Sequence, residues 1–244
     1  MIFVIPMAGT SKRFTDAGFK KPKFMLEAKK NSLFFHSLKS FKKFFNTAHF
    51  LFICSKEHNS VRFIDRENVK LGISSYTIIE LDKPTNGQAQ TVYLGLKEAE
   101  IQENSSIFIF NIDTFRPNFS LPNEFKVDEI DGYLETFIGS GPNWSNVIPR
   151  DESNQTVIET AEKKEISNLC CTGLYYWNKV ADYFFAFNEL SKIDIAKLDG
   201  SEYYIAPMYN LLIKQKKDIR YTIIDREEVI FCGVPDEYYD FCNS

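Results

Sequence analysis

Apolar strand-like segments alternate with helix-like segments through the first 115 residues, and this alternation constrains the fold most strongly. Short runs rich in β-branched and aromatic residues predict buried strands over 2–5, 50–54, 76–81 and 106–111. Helical periodicity predicts helices over 32–45, 59–67 and 88–100 between them. Strands of this kind, separated by helices, form a parallel sheet covered on both faces. We therefore predict a three-layer α/β/α, Rossmann-like fold around a mainly parallel, mixed central sheet.

The second half of the chain has a different pattern, with more strands and fewer helices. Strands are predicted over 131–138, 144–148, 155–160, 168–177, 219–224 and 229–231, and helices over 179–187 and 202–216. The 244 residues suit one domain. We predict a single domain over 1–244, in which 126–244 extends the sheet begun by 1–125.

Composition and charge exclude several classes of function. The net charge of −4 gives no global field for nucleic acid. No apolar stretch approaches the roughly 20 residues of a membrane span. The five cysteines show no paired metal-ligand spacing, and an odd number favours reduced thiols, so we expect a cytoplasmic protein. Positive charge is local to the N-terminal region, which suits a small polyanionic ligand: Lys12, Arg13, Lys20, Lys21, Lys23, Lys29 and Lys30. The alternative is a solvated surface, which we favour for Lys29 and Lys30.

The loop after the first strand is a candidate phosphate site. Small residues let its backbone N–H groups approach phosphate oxygens, and Arg13 and Lys23 can neutralise a triphosphate. The loop comprises Met7, Ala8, Gly9, Thr10 and Ser11. The alternative is an ordinary strand-to-helix loop with surface lysines.

A second candidate loop contains Asn86, Gly87 and Gln88 and joins the third strand to a helix. Gly87 leaves room beside the backbone, and the Gln88 amide offers both a donor and an acceptor to the edge of a base. The alternative is a tight Asn-Gly turn with no ligand.

The third candidate is Asp113, which follows the apolar fourth strand. In open α/β sheets, ligands bind at the carboxyl ends of the strands. Magnesium prefers oxygen ligands and commonly takes one or two carboxylates together with substrate phosphates. We therefore predict Mg²⁺ at Asp113, with an Asx turn or helix cap as the alternative.

Together the three loops resemble those of the nucleoside-diphosphate-sugar pyrophosphorylase family of nucleotidyltransferases, in the same order along most of the chain. In that family the first loop, an arginine and a lysine grip the triphosphate, a Gly-containing segment contacts the base, and an aspartate holds the metal. The resemblance assigns Arg13, Lys23 and Asp113 as catalytic residues. It also implies acceptor-binding residues, which match Glu162, Lys163, Gly173 and Glu202.

Two departures from the family pattern stand out. Ser11 occupies the second glycine position of the first loop, which makes the resemblance closer to the small cytidylyltransferase branch than to the glucose-phosphate thymidylyltransferases. Phe231 occupies the place of a second metal-binding aspartate, so the nearest substitutes by sequence are Asp225 and Asp236.

The resemblance implies transfer of a nucleoside monophosphate from CTP or another NTP to a small phosphorylated acceptor, with release of pyrophosphate. The acceptor would be a sugar 1-phosphate or a phosphoglutamine-like molecule, as in bacterial capsule biosynthesis. The protein could form a homo-oligomer. The alternatives are a nucleotide-sugar-dependent glycosyltransferase, although Asn111-Ile112-Asp113 is only half of an Asp-x-Asp motif, and a non-catalytic nucleotide-binding module.

Overall fold

A computed structural model of the protein describes residues 1–150 and 155–244, with the backbone alone for Asp199. The described strands are β1 (Ile2–Met7), β2 (Glu27–Ala28), β3 (Asn31–Ser32), β4 (His49–Ser55), β5 (Tyr76–Leu81), β6 (Ile107–Phe110), β7 (Thr114–Phe115), β8 (Gly132–Ile138), β9 (Ser145–Pro149), β10 (Val157–Glu162), β11 (Leu169–Trp177), β12 (Ile219–Ile224) and β13 (Ile230–Phe231). The described helices are α1 (Lys12–Asp16), α2 (Leu33–Lys39), α3 (Val61–Leu71), α4 (Gln88–Glu98), α5 (Val180–Leu190), α6 (Tyr209–Lys214) and α7 (Pro235–Asn243).

One nine-stranded sheet runs through both halves of the chain. Its N-terminal part has the order β5-β4-β1-β6, and all of these strands are parallel. The long strand β11 then pairs antiparallel with β6, and also with β8 and β9. The sheet branches at β11, because β9 continues to β10 while β8 continues to the parallel strand β12. The predicted mixed α/β sheet is confirmed.

The two faces of the N-terminal strands carry different side chains. Alternate residues of a strand point to opposite faces. On one face, Phe3 lies 5.2 Å from Phe50 and 5.4 Å from Phe108, measured between ring centroids. The opposite face is aliphatic and packs against α4 and α5, with Val4 and Ile109 among its residues. Many of the chain's phenylalanines therefore form one packed layer between the sheet and α2 and α3.

A buried arginine connects the two halves behind the sheet edge. Arg116 forms a two-pronged ion pair with Glu135 on β8, at 2.8 and 3.0 Å, and the two side chains are 3% and 1% exposed. Its guanidinium also donates to the carbonyl of Glu228, and its backbone N–H donates to the hydroxyl of Ser40. Thr172 on β11 donates to the same carboxylate. Three separate parts of the chain therefore bond to Arg116, and a fourth bonds to its partner Glu135.

Two predicted helices differ from the structure. The helix predicted over 32–45 ends at Lys39, where the N–H groups of Ser40 and Phe41 bond to carbonyls three residues earlier. A 3-10 turn over Lys42–Phe44 follows. The helix predicted over 202–216 begins later, after a 3-10 turn over Ala206–Met208. Non-local backbone contacts of Tyr203 account for that delay, as described below.

Two further expectations from the sequence concern the cysteines and membrane-spanning segments. All five cysteines are free thiols. Within the described residues, no helix has the length and apolar character needed to cross a membrane. The loop predicted between the strands at 144–148 and 155–160 includes 151–154, which lie outside the described residues.

We predict that Arg116→Met destabilises the fold by about 3–5 kcal/mol, because it leaves the Glu135 carboxylate buried without its partner. Burial raises the pKa of Glu135, and Arg116 opposes that shift. Without Arg116 the folded state retains a proton that the unfolded state releases above about pH 4.3. The loss in free energy of unfolding should therefore be larger at pH 8 than at pH 5.5 in urea titrations.

Arg66→Met is the matched control for this variant. Arg66 is 70% exposed, and its partner Glu67 keeps the hydrogen bond from the Ser32 hydroxyl, so the replacement should change the free energy of unfolding by less than about 1 kcal/mol. Equal effects of the two substitutions would contradict the assigned role of Arg116.

Candidate functional site

The first loop leaves β1 at its carboxyl end and turns at Ser11. Ser11 has φ 52°, in the left-handed region that glycine favours, which fits its place at a family glycine position. Its carbonyl accepts hydrogen bonds from Phe14 and Thr15 at the start of α1. Its hydroxyl accepts from the N–H of Lys23 at 3.3 Å. Ser11 therefore has a side chain at a position where the family pattern has glycine, and that side chain connects the first loop to Lys23 by a hydrogen bond.

Lys23 and Asp113 form a direct ion pair. The distance from Lys23 Nζ to Asp113 Oδ2 is 2.5 Å, and the side chains are 24% and 19% exposed. Lys23 begins a 3-10 turn after Pro22, and the next residue of that turn, Phe24, is buried. Asp113 lies between β6 and β7, at the carboxyl end of β6. The structure therefore brings the N-terminal cation to the carboxylate, across 90 residues of sequence.

Two adjoining cavities meet at this ion pair. The N-terminal cavity has a volume of about 440 Å³ and lies between the first loop and the loop at 84–88. The C-terminal cavity has a volume of about 540 Å³ and lies between α1, β10, β11 and the start of α7. Six residues line both cavities: Ser11, Lys23, Gln88, Asn111, Asp113 and Glu202.

The predicted site residues divide between the two cavities. The N-terminal cavity is lined by every predicted nucleotide-binding residue: Met7, Ala8, Gly9, Thr10, Ser11, Asn86, Gly87 and Gln88. The C-terminal cavity is lined by every predicted acceptor-binding residue: Glu162, Lys163, Gly173 and Glu202. Arg13 is exposed and lines the C-terminal cavity only. Its predicted role at the triphosphate therefore depends on phosphates reaching that side.

The loop at 84–88 is held by backbone contacts to a distant segment. Tyr203 donates its N–H to the carbonyl of Asn86 at 2.7 Å and accepts from the N–H of Ala89 at 2.9 Å. A Cβ on Gly87 would lie 2.7 Å from Tyr203 N and O, and Gly87 has φ 118°. Only glycine fits this close approach. These contacts keep residues 202–204 out of the helix predicted to start there.

Gln88 lies at the junction of the cavities and is bonded to Asn111. Its Nε2 donates to Asn111 Oδ1 at 2.5 Å. A bulge in β11 makes room for this pair, because Gly173 has φ 94° and a Cβ there would overlap the Asn111 side chain. One amide hydrogen of Gln88 is engaged, so its second amide hydrogen and its carbonyl oxygen are left to bind a ligand.

Neither predicted second metal ligand reaches the cavities. Asp225 caps the 3-10 turn at Arg226–Glu228, and Asp236 is an exposed residue in the first turn of α7. Glu237 lines the C-terminal cavity instead. A Cβ on Gly233 would lie 3.1 Å from Asp113 Oδ2 and 3.6 Å from Glu237 Oε2, so both carboxylates face the same side of Gly233.

The carboxylates fit magnesium that arrives with a nucleotide. Among residues 1–150 and 155–244, no three His, Cys, Asp or Glu side chains converge as a protein-only metal site. Magnesium instead commonly takes one or two carboxylates and completes its shell with phosphates and water. Asp113 and Glu237 provide such a pair, although Glu237 Oε2 also accepts from the N–H groups of Gly233 and Val234.

Phe231 belongs to an aromatic wall of the C-terminal cavity. Its ring centroid lies 4.6 Å from that of Trp144 and 5.5 Å from that of Phe137. The Arg226 guanidinium lies 5.0 Å from the Phe231 centroid. An apolar surface therefore stands where the family pattern has a carboxylate.

Sequence reasoning missed Asn111, Tyr204 and Glu237. Asn111 precedes Asp113 by two residues, so its place at the strand end was the available signal. Glu237 follows Gly233-Val234-Pro235 at the third helical position, which is typical of a capping residue. Tyr204 had no local signal, because its position depends on the contacts of Tyr203.

Known structures resemble this chain over its full length. A nucleoside-diphosphate-sugar pyrophosphorylase from Vibrio cholerae RC9 is 47% identical, with a TM-score of 0.94 and 100% coverage of both chains. The chain belongs to the nucleoside-diphosphate-sugar pyrophosphorylase family. The family predicted from the three loops is therefore confirmed.

More distant structures share the fold of this chain. The inositol-1-phosphate CTP transferase from T. maritima is 16% identical with a TM-score of 0.74, covering 99% of this chain and 94% of the other. A UDP-glucose pyrophosphorylase from Acinetobacter baumanii is 13% identical with a TM-score of 0.73, covering 99% and 92%. No protein-family model matches the sequence, and neither does any curated protein.

We predict that Gly87→Ala weakens nucleotide binding and stability more than Gly141→Ala does. Both glycines have left-handed φ values, 118° and 108°, so both substitutions carry backbone strain of about 1–2 kcal/mol. Only Gly87 would also collide with Tyr203, since Gly141 has open space. Calorimetric titration with CTP and thermal unfolding should separate the two variants. Similar losses in both would show that strain alone matters.

Proposed function

We propose that the protein is a magnesium-dependent nucleotidyltransferase that moves CMP from CTP to a small phosphorylated acceptor and releases pyrophosphate. Family membership supports nucleotidyl transfer of the sugar-phosphate type. One observation carries the proposal for this chain: the two cavities meet at the Lys23–Asp113 pair, where donor and acceptor phosphates would come together.

The chemistry is an in-line displacement at phosphorus. An oxygen of the acceptor phosphate forms a bond to the α-phosphorus, the bond from that phosphorus to the bridging oxygen breaks, and the electron pair leaves with pyrophosphate. The attacking oxygen is already anionic, so no general base is required. Catalysis then rests on positioning and on neutralising charge.

Each part of the site has a proposed role. The first-loop backbone and Lys23 bind the nucleotide phosphates, and Arg13 contacts phosphate from the C-terminal side. Asp113, with Glu237, would hold Mg²⁺, which supplies positive charge to the phosphates. Lys163 binds the acceptor phosphate at the far wall.

CTP is the proposed donor. The Gln88 carbonyl oxygen is left free to accept while its nitrogen is bonded to Asn111. The exocyclic amino group of cytosine can donate to this oxygen, whereas uracil carries a carbonyl oxygen at the same ring position. The small-residue loop with Ser11 further supports the cytidylyltransferase branch.

The acceptor is proposed to be a sugar 1-phosphate or a phosphoglutamine-like molecule of capsule or surface-polysaccharide synthesis. The C-terminal cavity combines the aromatic wall at Trp144 and Phe231 with the polar groups of Glu162 and Lys163. Such a wall can cover the apolar side of a small acceptor while the polar groups bind its hydroxyl, amide or phosphate groups.

The test is pyrophosphate release with each of the four NTPs and a panel of sugar 1-phosphates and phosphorylated amino acids, with and without Mg²⁺. We expect CTP to give the highest rate and chelation to abolish it. Sugar transfer from a nucleotide sugar without pyrophosphate would instead identify a glycosyltransferase. Nucleotide binding without turnover in any pair would indicate a binding module.

We further predict that Asp113→Asn and Lys23→Met each lower kcat at least about 100-fold, the scale of losing one preorganised electrostatic contact. The matched controls are Asp82→Asn and Lys56→Met. Those residues form a similar ion pair, at 2.9 Å, but with side chains 74% and 67% exposed. The controls should retain kcat within about twofold, since exposed pairs contribute little. Parallel losses in all four variants would contradict the proposed site.

A further inference from the structure

Lys163 and Tyr204 form a polar pair on the wall of the C-terminal cavity. The Lys163 ammonium donates to the Tyr204 hydroxyl, and Nζ lies 4.6 Å from the centre of the same ring. Both residues line the cavity that also receives Asp113. Of these two residues, the family resemblance assigns a role only to Lys163. The place of Tyr204 beside it is known from the structure.

The backbone on both sides of the pair is fixed. Lys163 follows β10 with φ 53°, and its N–H donates to the carbonyl of Trp144 at 3.0 Å. Tyr204 follows Tyr203, whose backbone is bonded to the nucleotide-side loop. A Cβ on Gly200 would lie 3.0 Å from the Tyr204 hydroxyl and 3.3 Å from Lys163 Nζ, so a glycine leaves space for both polar ends.

The protonation of both groups suits an anion. Burial lowers the pKa of Lys163, but the Tyr204 hydrogen bond and the carboxylates of Glu202 and Glu162 raise it, so the net pKa lies above its ordinary value. Burial raises the pKa of Tyr204, so the hydroxyl keeps its proton at neutral pH. Its oxygen accepts from Lys163, which leaves its hydrogen free to donate.

We infer that Tyr204 is a second ligand of the acceptor phosphate and, with Lys163, forms a two-point phosphate clamp. The inference rests on the proposed function and names a residue that it does not include. Lys163 donates one phosphate contact and Tyr204 O–H another. The hydrogen bond between them also holds the long lysine side chain, which would otherwise sample many rotamers.

The clamp connects the two substrates through adjacent residues. Tyr203 contacts the nucleotide-side loop at Asn86 and Ala89, and Tyr204 contacts the acceptor lysine. The phosphate bound at the clamp therefore has a position defined relative to the nucleotide loop. That relation is what an in-line attack requires.

The experiment uses the full chain and the variants Tyr204→Phe and Tyr239→Phe. Tyr239 is 50% exposed and lines neither cavity, so it is the matched control. KM for the acceptor found in the panel and KM for the nucleotide are measured by pyrophosphate release. Binding of inorganic phosphate is measured by calorimetric titration. Lys163→Met and the double variant with Tyr204→Phe and Lys163→Met complete a double-mutant cycle.

We expect Tyr204→Phe to raise the acceptor KM about tenfold, as for one lost hydrogen bond to a charged group, and to leave the nucleotide KM within about twofold. Phosphate affinity should fall about tenfold as well. The two losses should not add in the double variant, because the residues act as a pair. Tyr239→Phe should match the wild-type protein in every measurement.

Three outcomes would overturn the clamp. Equal acceptor KM in Tyr204→Phe and Tyr239→Phe would remove Tyr204 from the phosphate. A parallel rise in the nucleotide KM would indicate a structural role only. Unchanged phosphate affinity in Tyr204→Phe would also remove Tyr204 from the phosphate, and so would a lack of phosphate binding by the wild-type protein. Neither measurement requires turnover. Absence of pyrophosphate release in the wild-type protein would instead count against the proposed function.

Discussion

The buried ion pair of Arg116 and Glu135 is the interaction on which the site depends most. Arg116 stands three residues after Asp113, and its guanidinium reaches both β8 and the carbonyl of Glu228. The strand after Asp113 is thereby fixed to the segment that continues into β13 and α7. An unpaired charge in this interior would be costly, so the two groups strongly favour one arrangement. The position of Asp113 therefore depends on a contact outside both cavities.

The sheet then brings the remaining loops to one edge. Strands β1, β5 and β6 run parallel, so their carboxyl ends deliver the first loop, the loop at 84–88 and Asp113 to neighbouring positions. The phenylalanine layer and the aliphatic layer hold the strands from opposite sides, and dense packing of this kind resists small displacements. The polar site can thus be built from loops, because the strands beneath them are rigid.

The strands and the three loops could be predicted from sequence because their signals are local. An apolar run predicts β6, and a polar residue directly after it predicts a site at Asp113. Tyr204 could not be predicted in this way, since its position depends on the distant partners of Tyr203. Glu237 has a local signal, but that signal is typical of a helix-capping residue. The helix predicted over 202–216 was wrong at its start for the same reason: Tyr203 bonds to Asn86 and Ala89 rather than to its own segment. Local propensity loses to tertiary hydrogen bonds at that point.

The charges that line the C-terminal cavity support the proposal that the reaction uses a divalent cation. The described lining carries four cationic side chains and four carboxylates: Lys12, Arg13, Lys23 and Lys163, and Asp113, Glu162, Glu202 and Glu237. A balanced wall gives little net attraction for two phosphorylated substrates. Phe231 stands where the family pattern has a carboxylate, so this wall carries one negative charge fewer than that pattern. The positive charge of Lys23, however, is already paired with Asp113. Under the proposed function, further positive charge would enter with the nucleotide as magnesium, which commonly binds to substrate phosphates.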